Sequence, residues 1–218
     1  SGLLSNEVNL MEAEVTAMRL MENSDFVKVA KVQYYDDTKT LCSGRYFFME
    51  ALEGQSYFSL GEELTEKEKS DLNYEVGKIE RNLAQVYGEK FGLVADPEHQ
   101  YDDLFEFVYY LISNVLRDAQ KKDIVIGVDA DQILKQLSKG KDIFASVKQA
   151  SLVHYDMWEG NIFVKEKHVS GIIDWERALR GESYMDDRFR RHTRNVDFLR
   201  GYGQEVFFRR RNATDILV

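Results

Sequence analysis

The amino-acid sequence predicts an α+β fold in two unequal pieces, and three observations carry that prediction. An amphipathic helix and two β-rich runs form the front; from Thr65 three helical periods follow; short apolar strands return between Leu152 and Ile173. The chain has 218 residues, 44% hydrophobic and 12% aromatic, with one Pro and one Cys. That length fits one large domain or two small ones and buries a sizeable core. So high an aromatic content excludes disorder as the dominant state.

Residues 6–22 place Val8, Met11, Val15, Met18 and Leu20 or Met21 near a 3.6-residue period, with Asn6 as the candidate N-cap. Residues 27–34 and 45–52 read as strands. The turn residues Asp36, Asp37, Thr38 and Lys39, closed by Ser43-Gly44, predict that they pair antiparallel. Glu53-Gly54-Gln55 breaks the second strand. Thr65 and Glu68 form a capping box ahead of Leu72, Val76, Ile79, Leu83 and Val86, a helix expected to reach Gly88 or Gly92. Helices are expected over residues 103–120 and 129–139, strands at 152–154, 161–164 and 169–173, and an arginine-rich helix at 186–200. The expected division is a small front piece, 1–53, and a larger helical piece, 54–218, that carries a β-hairpin.

The formal net charge is −9. An acidic total argues against nucleic acid as the main partner, because phosphate contacts need a positive surface, and it suits a cationic small molecule. Ten arginines between Arg177 and Arg211 read as a solvated helix face with local ion pairs, an RNA-contacting surface being the weaker alternative. Cys42, alone, forms no internal disulfide and points to a reducing compartment, so a cytoplasmic location is expected. No apolar run approaches the ~20 residues of a membrane span, and no membrane partner is expected.

The chemistry concentrates in residues 152–176. A strand ends at His154, Asp156 sits in the loop, Asn161 opens the next strand, and the following strand delivers Asp174. A hairpin through residues 165–168 would bring Asn161 beside Asp174. Carboxylates and a carboxamide around one point are hard oxygen donors that suit Mg²⁺, which leaves positions for phosphate oxygens and water. Asp156 is placed to accept a proton from an incoming hydroxyl. His154 is expected to pack and orient the loop, Glu176 to support the metal or form a surface ion pair, and Trp158 to line the acceptor pocket or the core.

Taken together, His154-Tyr-Asp156-Met-Trp-Glu-Gly-Asn161 resembles the H-x-D-x-x-x-x-N catalytic loop of kinases. Ile172-Ile-Asp174-Trp-Glu176 resembles the metal-binding segment of the aminoglycoside phosphotransferase and choline kinase family, where protein kinases carry D-F-G. The resemblance implies a protein-kinase-like two-lobed fold and transfer of the γ-phosphate of ATP, with Mg²⁺, to a hydroxyl of a small molecule; the acidic total suggests an amine-bearing acceptor, aminoglycoside-like or choline-like. Under it Asp156 is the catalytic residue, and Asn161 and Asp174 are the metal ligands. Glu14 matches the glutamate of the αC-type helix, and residues 46–54 are similar to the interlobe hinge. There the Glu50 carbonyl and the Leu52 amide would hold adenine, with Met49 at the gatekeeper position. Asp187 is expected to buttress the loop, and the acceptor pocket to lie between the loop and the helices of residues 65–140. Family members carry a glycine-rich turn and a strand lysine before the αC-type helix, and further helices at the C-terminus. Only five residues precede Asn6, and Lys28 and Lys31 follow that helix, so the sequence reads as the catalytic centre of a longer chain. The alternative is a catalytically impaired nucleotide-binding or interaction module of the same fold.

Overall fold

The computed structural model describes residues 4–191 and 195–203. Arg194 and Arg209 to Arg211 of the arginine-rich stretch lie outside the described residues. A 3-10 turn, Ser5–Glu7, leads into helix α1, Leu10–Met21. The cap of α1 is Asn9, in a left-handed conformation at φ 63°, rather than Asn6. The chain bends here because the Glu7 carboxylate accepts the Leu4 amide at 2.7 Å, and Ser5 is held by Asp118 at 2.6 and 2.9 Å.

Strands β1, Val32–Asp36, and β2, Tyr46–Met49, pair antiparallel from Val32 opposite Met49 to Asp36 opposite Tyr46, as the spacing of their turn residues predicts. After β3, Gln55–Ser56, and the single turn α2, Tyr57–Leu60, helix α3 runs over Glu66–Leu83. Thr65 and Glu68 close its capping box reciprocally. The helix ends earlier than its apolar period implies. The Val86 carbonyl is taken by the Leu152 amide at 2.8 Å and by Arg180 at 2.7 Å, which draws the chain into β4, Tyr87–Gly88.

Next come β5, Gly92–Leu93, and the helices α4, Leu104–Lys121, α5, Ala130–Lys139, and α6, Lys141–Phe144; Asp103 and Asp129 cap α4 and α5. The last strands are β6, Ala150–Val153, β7, Ile162–Lys165, β8, His168–Ile172, and β9, Leu179–Gly181. The predicted arginine-rich helix is two shorter ones, α7, Asp187–Arg191, and α8, Val196–Tyr202. Asn195, in extended conformation, caps α8 by accepting the Phe198 amide, so it starts a helix instead of continuing one.

Besides the β1–β2 pair, the strands form a sheet of order β3-β7-β8 and one of order β4-β6-β9-β5. The pairing of β3 with β7 joins the segment just after residues 50–54 to the hairpin that carries the candidate site. The hairpin turns at Glu166 and Lys167, both at positive φ, and Lys167 is tied by an ion pair to Glu68 of α3. One core cluster crosses residue 53, joining Val15 and Met18 of α1, Val29, Leu72 and Val76 of α3, Ile162 and Ile172 of the hairpin, and Trp175. A second gathers Phe91, Phe107, Val108, Leu137, Phe144 and Val153 under α4–α6. Helices α3 and α8 approach so closely that a Cβ on Gly77 would lie 2.2 Å from the Phe198 carbonyl oxygen, and one on Gly201 2.0 Å from that of Tyr74. Among the described residues no helix is long and apolar enough to cross a membrane.

Candidate active site

Strand β6 delivers His154 into full burial. Its Nε2–H donates to the Ile173 carbonyl at 2.9 Å and its Nδ1 accepts the Asp156 amide at 3.4 Å, an arrangement that requires the neutral ring. Burial lowers the imidazole pKa to about 4, and the ring packs edge-on against Trp175 at 4.6 Å. His154 thus fits the packed, orienting role. Tyr155 then takes a left-handed conformation at φ 72°, which is costly for a non-glycine residue and throws the chain out into the loop.

The loop closes on itself through Asn161, whose Nδ2 donates to the Asp156 carbonyl at 2.9 Å. With the amide nitrogen committed, the amide oxygen is the atom Asn161 has to offer a cation. The Asn161 carbonyl accepts the Ile173 amide at 3.0 Å, one step beyond the pairing of Ile162 with Ile172, so the start of β7 lies against the residues that follow β8. Asp174 comes next, also left-handed at φ 65°. The hairpin therefore brings Asn161 and the Asp174 segment side by side, with the Asp156 loop bonded to both through Asn161 and His154.

Negative charge accumulates there. Glu14 of α1 has its pKa raised to about 7, chiefly by burial and then by the charges of Asp174 and Glu176. Glu176 is itself pushed up, by burial and then by Asp174, with a smaller push from Asp156. Four acidic residues from three segments thus share one field, which a divalent cation would relieve. Among the described residues no three His, Cys, Asp or Glu side chains converge to hold a metal. One carboxamide and one carboxylate, Asn161 and Asp174, are the donor types that could hold Mg²⁺ while leaving positions for other oxygens.

Asp186, the neighbour of Asp187, buttresses the loop. Fully buried Asp186 accepts the Tyr155 amide at 2.6 Å and the Arg188 amide at 3.1 Å. Two aspartates stand together in the sequence, and the extended backbone of Asp186 just before α7 turns its carboxylate to the loop. Beneath it, Glu80 of α3 is buried, and that burial together with the Asp186 charge holds its carboxyl well above the usual range. Asp186 is shifted upward as well, mainly by burial.

The hinge candidates are less enclosed. Met49 ends β2 with 44% of its surface exposed. The Glu50 amide donates to the Lys31 carbonyl at 3.0 Å, and its side chain is exposed. Leu52 packs against the first core, filling the space over Gly171 of β8. Lys31 pairs with Glu22 at 3.2 Å, and the Lys28 carbonyl accepts the Ile172 amide.

A cavity of about 480 Å³ opens between α1, α4 and the segment after Asp174. Tyr155 and Glu176, which neighbour Asp156 and Asp174 in sequence, are in its wall. It lies between the loop and a helix of residues 65–140, where the acceptor pocket is expected. Four carboxylates line it, Asp96, Glu98, Asp118 and Glu176, against Arg117 and Arg177. His99 caps Asp96 at 2.8 Å and stacks on Tyr110 at 4.6 Å. Trp158 is elsewhere, its ring 5.6 Å from that of Phe58. These walls come from residues 5–13, 93–118 and 155–179, too far apart in sequence for any local pattern to reveal them.

Comparisons with known proteins bear on the family and the fold. The model of a phosphotransferase enzyme family matches residues 5–186. Among solved structures, the chain is similar to aminoglycoside phosphotransferase APH(2'')-Ib with ADP bound, at 19% identity and a TM-score of 0.61, over 94% of this chain and 70% of that one. It is also similar to APH(2'')-IIa in a ternary complex with streptomycin and ATP, at 19% identity and TM-score 0.59, with the same coverage. Macrolide 2'-phosphotransferase MphH from Brachybacterium faecium matches at 14% identity and TM-score 0.55, over 89% of this chain and 65% of that one. Among curated proteins no match was found.

Proposed function

The chain belongs to the phosphotransferase enzyme family, and from that membership we propose that it transfers the γ-phosphate of ATP to a hydroxyl of a small, amine-bearing molecule. The observation that carries this reading is the double main-chain anchorage of the segment before Asp174. The Ile173 amide is bound by Asn161, and its carbonyl by His154 of the loop that holds Asp156.

In the mechanism, Asn161 and Asp174 would hold Mg²⁺, which would neutralise charge on the nucleotide phosphates. Asp156 orients the acceptor hydroxyl and takes its proton on the carboxylate as the oxygen bonds to the γ-phosphorus and the bond to the ADP oxygen breaks. Such transfers are catalysed mainly by positioning and charge neutralisation. The rigid anchorage of the loop by His154 and Asp186 supplies the positioning. Met49, Glu50 and Leu52 form the adenine side, through the Glu50 carbonyl and the Leu52 amide, and Glu14 faces the phosphate side.

The acidic lining of the 480 Å³ cavity supports a cationic acceptor. The structural relatives carry streptomycin with ATP in one case and gentamicin in another. ATP consumption measured over a panel of amine-bearing and neutral alcohols tests the proposal. Turnover with amine-bearing acceptors, strongly reduced by Asp156→Asn, is expected. Nucleotide binding without turnover on any acceptor would identify a binding module instead.

A further inference from the structure

We propose that Arg188, acting through Glu159, is a positioning residue that fixes the second half of the catalytic loop and with it Asn161. Arg188 is completely buried in α7 and donates through Nη1 to Glu159 Oε1 at 2.7 Å. Burying a guanidinium is expensive, and one spent on a loop glutamate calls for a reason. The reason is visible in what Glu159 touches. Its carbonyl accepts the Phe58 amide at 3.0 Å, tying it to α2, just beyond the hinge candidates. Main chain and side chain of Glu159 are therefore both held, the one by α2 and the other by α7.

Asn161 follows two residues later, and the intervening chain has no slack. The Asn161 amide donates to the Trp158 carbonyl at 3.0 Å, and a Cβ on Gly160 would meet the Trp158 ring at 2.2 Å. Any drift of Glu159 is passed on to the Asn161 side chain. Asp186, two residues before Arg188, holds the other end of the loop at the Tyr155 amide. One tripeptide, 186–188, thus grips the loop at residues 155 and 159, on either side of Asp156. A structural ion pair would only add stability; this one sets the distance between the proton acceptor and the proposed metal ligand.

The inference rests on Asn161 being a metal ligand, and the test separates the two claims. Arg188→Lys and Glu159→Gln are compared with wild type by amide hydrogen exchange of the nucleotide-free protein. A second readout is the melting shift that Mg²⁺ produces with a non-hydrolysable ATP analogue. Both variants are expected to fold, with exchange faster at residues 157–161 but unchanged in α3 and α4. The Mg²⁺ concentration for half the melting shift is expected to rise roughly 10-fold, in the range for partners that orient metal ligands. Unchanged loop exchange and Mg²⁺ requirement in folded Glu159→Gln would overturn the proposal. If Arg188→Lys fails to fold, Glu159→Gln decides alone, since Glu159 is partly exposed. Asn161→Ala run in parallel reports on the premise: no change in its Mg²⁺ requirement would remove the metal assignment, while loop exchange still reads the clamp.

Discussion

The catalytic loop and the hinge segment lie at opposite ends of the β3-β7-β8 connection and are built on different principles. The loop is held by side chains: His154 on Ile173, Asp186 on Tyr155, Asn161 on Asp156 and Arg188 on Glu159, most of them buried. The hinge is held by strand pairing, the Glu50–Lys31 main-chain bond, Leu52 packed on the core, and Glu53, which pairs with Lys165 and whose carbonyl accepts the Ser170 hydroxyl; Met49 and Glu50 are turned outward. Where side chains set the geometry, residue identity is the information. Where the backbone presents the chemistry, almost any residue serves.

The sharpest way to break that contrast is to mutate both. Asp156→Asn is expected to lower kcat by roughly 10²–10⁴-fold, the range for loss of a general base, with nucleotide affinity unchanged in a binding titration. Glu50→Ala is expected to leave kcat and nucleotide affinity within about threefold, because the carbonyl proposed to meet adenine survives the change; a loss comparable to that of Asp156→Asn would mean that the side chain acts there.

The same contrast explains what was legible in the sequence. Asp156, Asn161 and Asp174 stood out because a strand, a loop of set length and a hairpin must each carry a particular side chain. The Asp186 contact with the loop was not legible, because positions 186 and 187 both carry a carboxylate and only the backbone bend before α7 turns the first of them to Tyr155. Strands β4, β5 and β9, two or three residues long, are too short for alternation to show. The early end of α3 is decided by Leu152 and Arg180, partners far away in the chain. Glu159 and Arg188, 29 residues apart, carry no joint signal at all.

Stability offers a second contrast, between the packed helical floor and the loop above it. Gly201→Ala improves helix propensity by up to about 1 kcal/mol, yet its methyl would strike the Tyr74 carbonyl. A net loss of about 1–3 kcal/mol is expected from overpacking, read by denaturant unfolding, with activity per folded molecule retained. A stabilised variant would show that α3 and α8 have room to move apart.

The smallest effects concern pH, and the two regions run opposite ways. His154 has its pKa depressed to about 4 in the fold, so its contribution is present above the unfolded value near 6.5 and is lost as pH falls toward 4. Glu14 has its pKa raised to about 7, so its contribution is present below the unfolded value near 4.5 and is lost as pH rises toward 7. Over pH 4.5–6.5 the two contributions oppose each other, so the denaturation profile of the nucleotide-free protein is expected to be nearly flat there, and Glu14→Gln to leave stability rising with pH through His154 alone. An unaltered profile in that variant would place Glu14 outside the acidic field.

The central claim is that Asn161 and Asp174 hold the metal of a metal–nucleotide complex. Calorimetric titration of a non-hydrolysable ATP analogue into wild type and Asp174→Ala, each with and without Mg²⁺, tests it most directly. The account predicts that Mg²⁺ strengthens nucleotide binding in wild type and has no such effect in Asp174→Ala. Equal enhancement by Mg²⁺ in both proteins would contradict it.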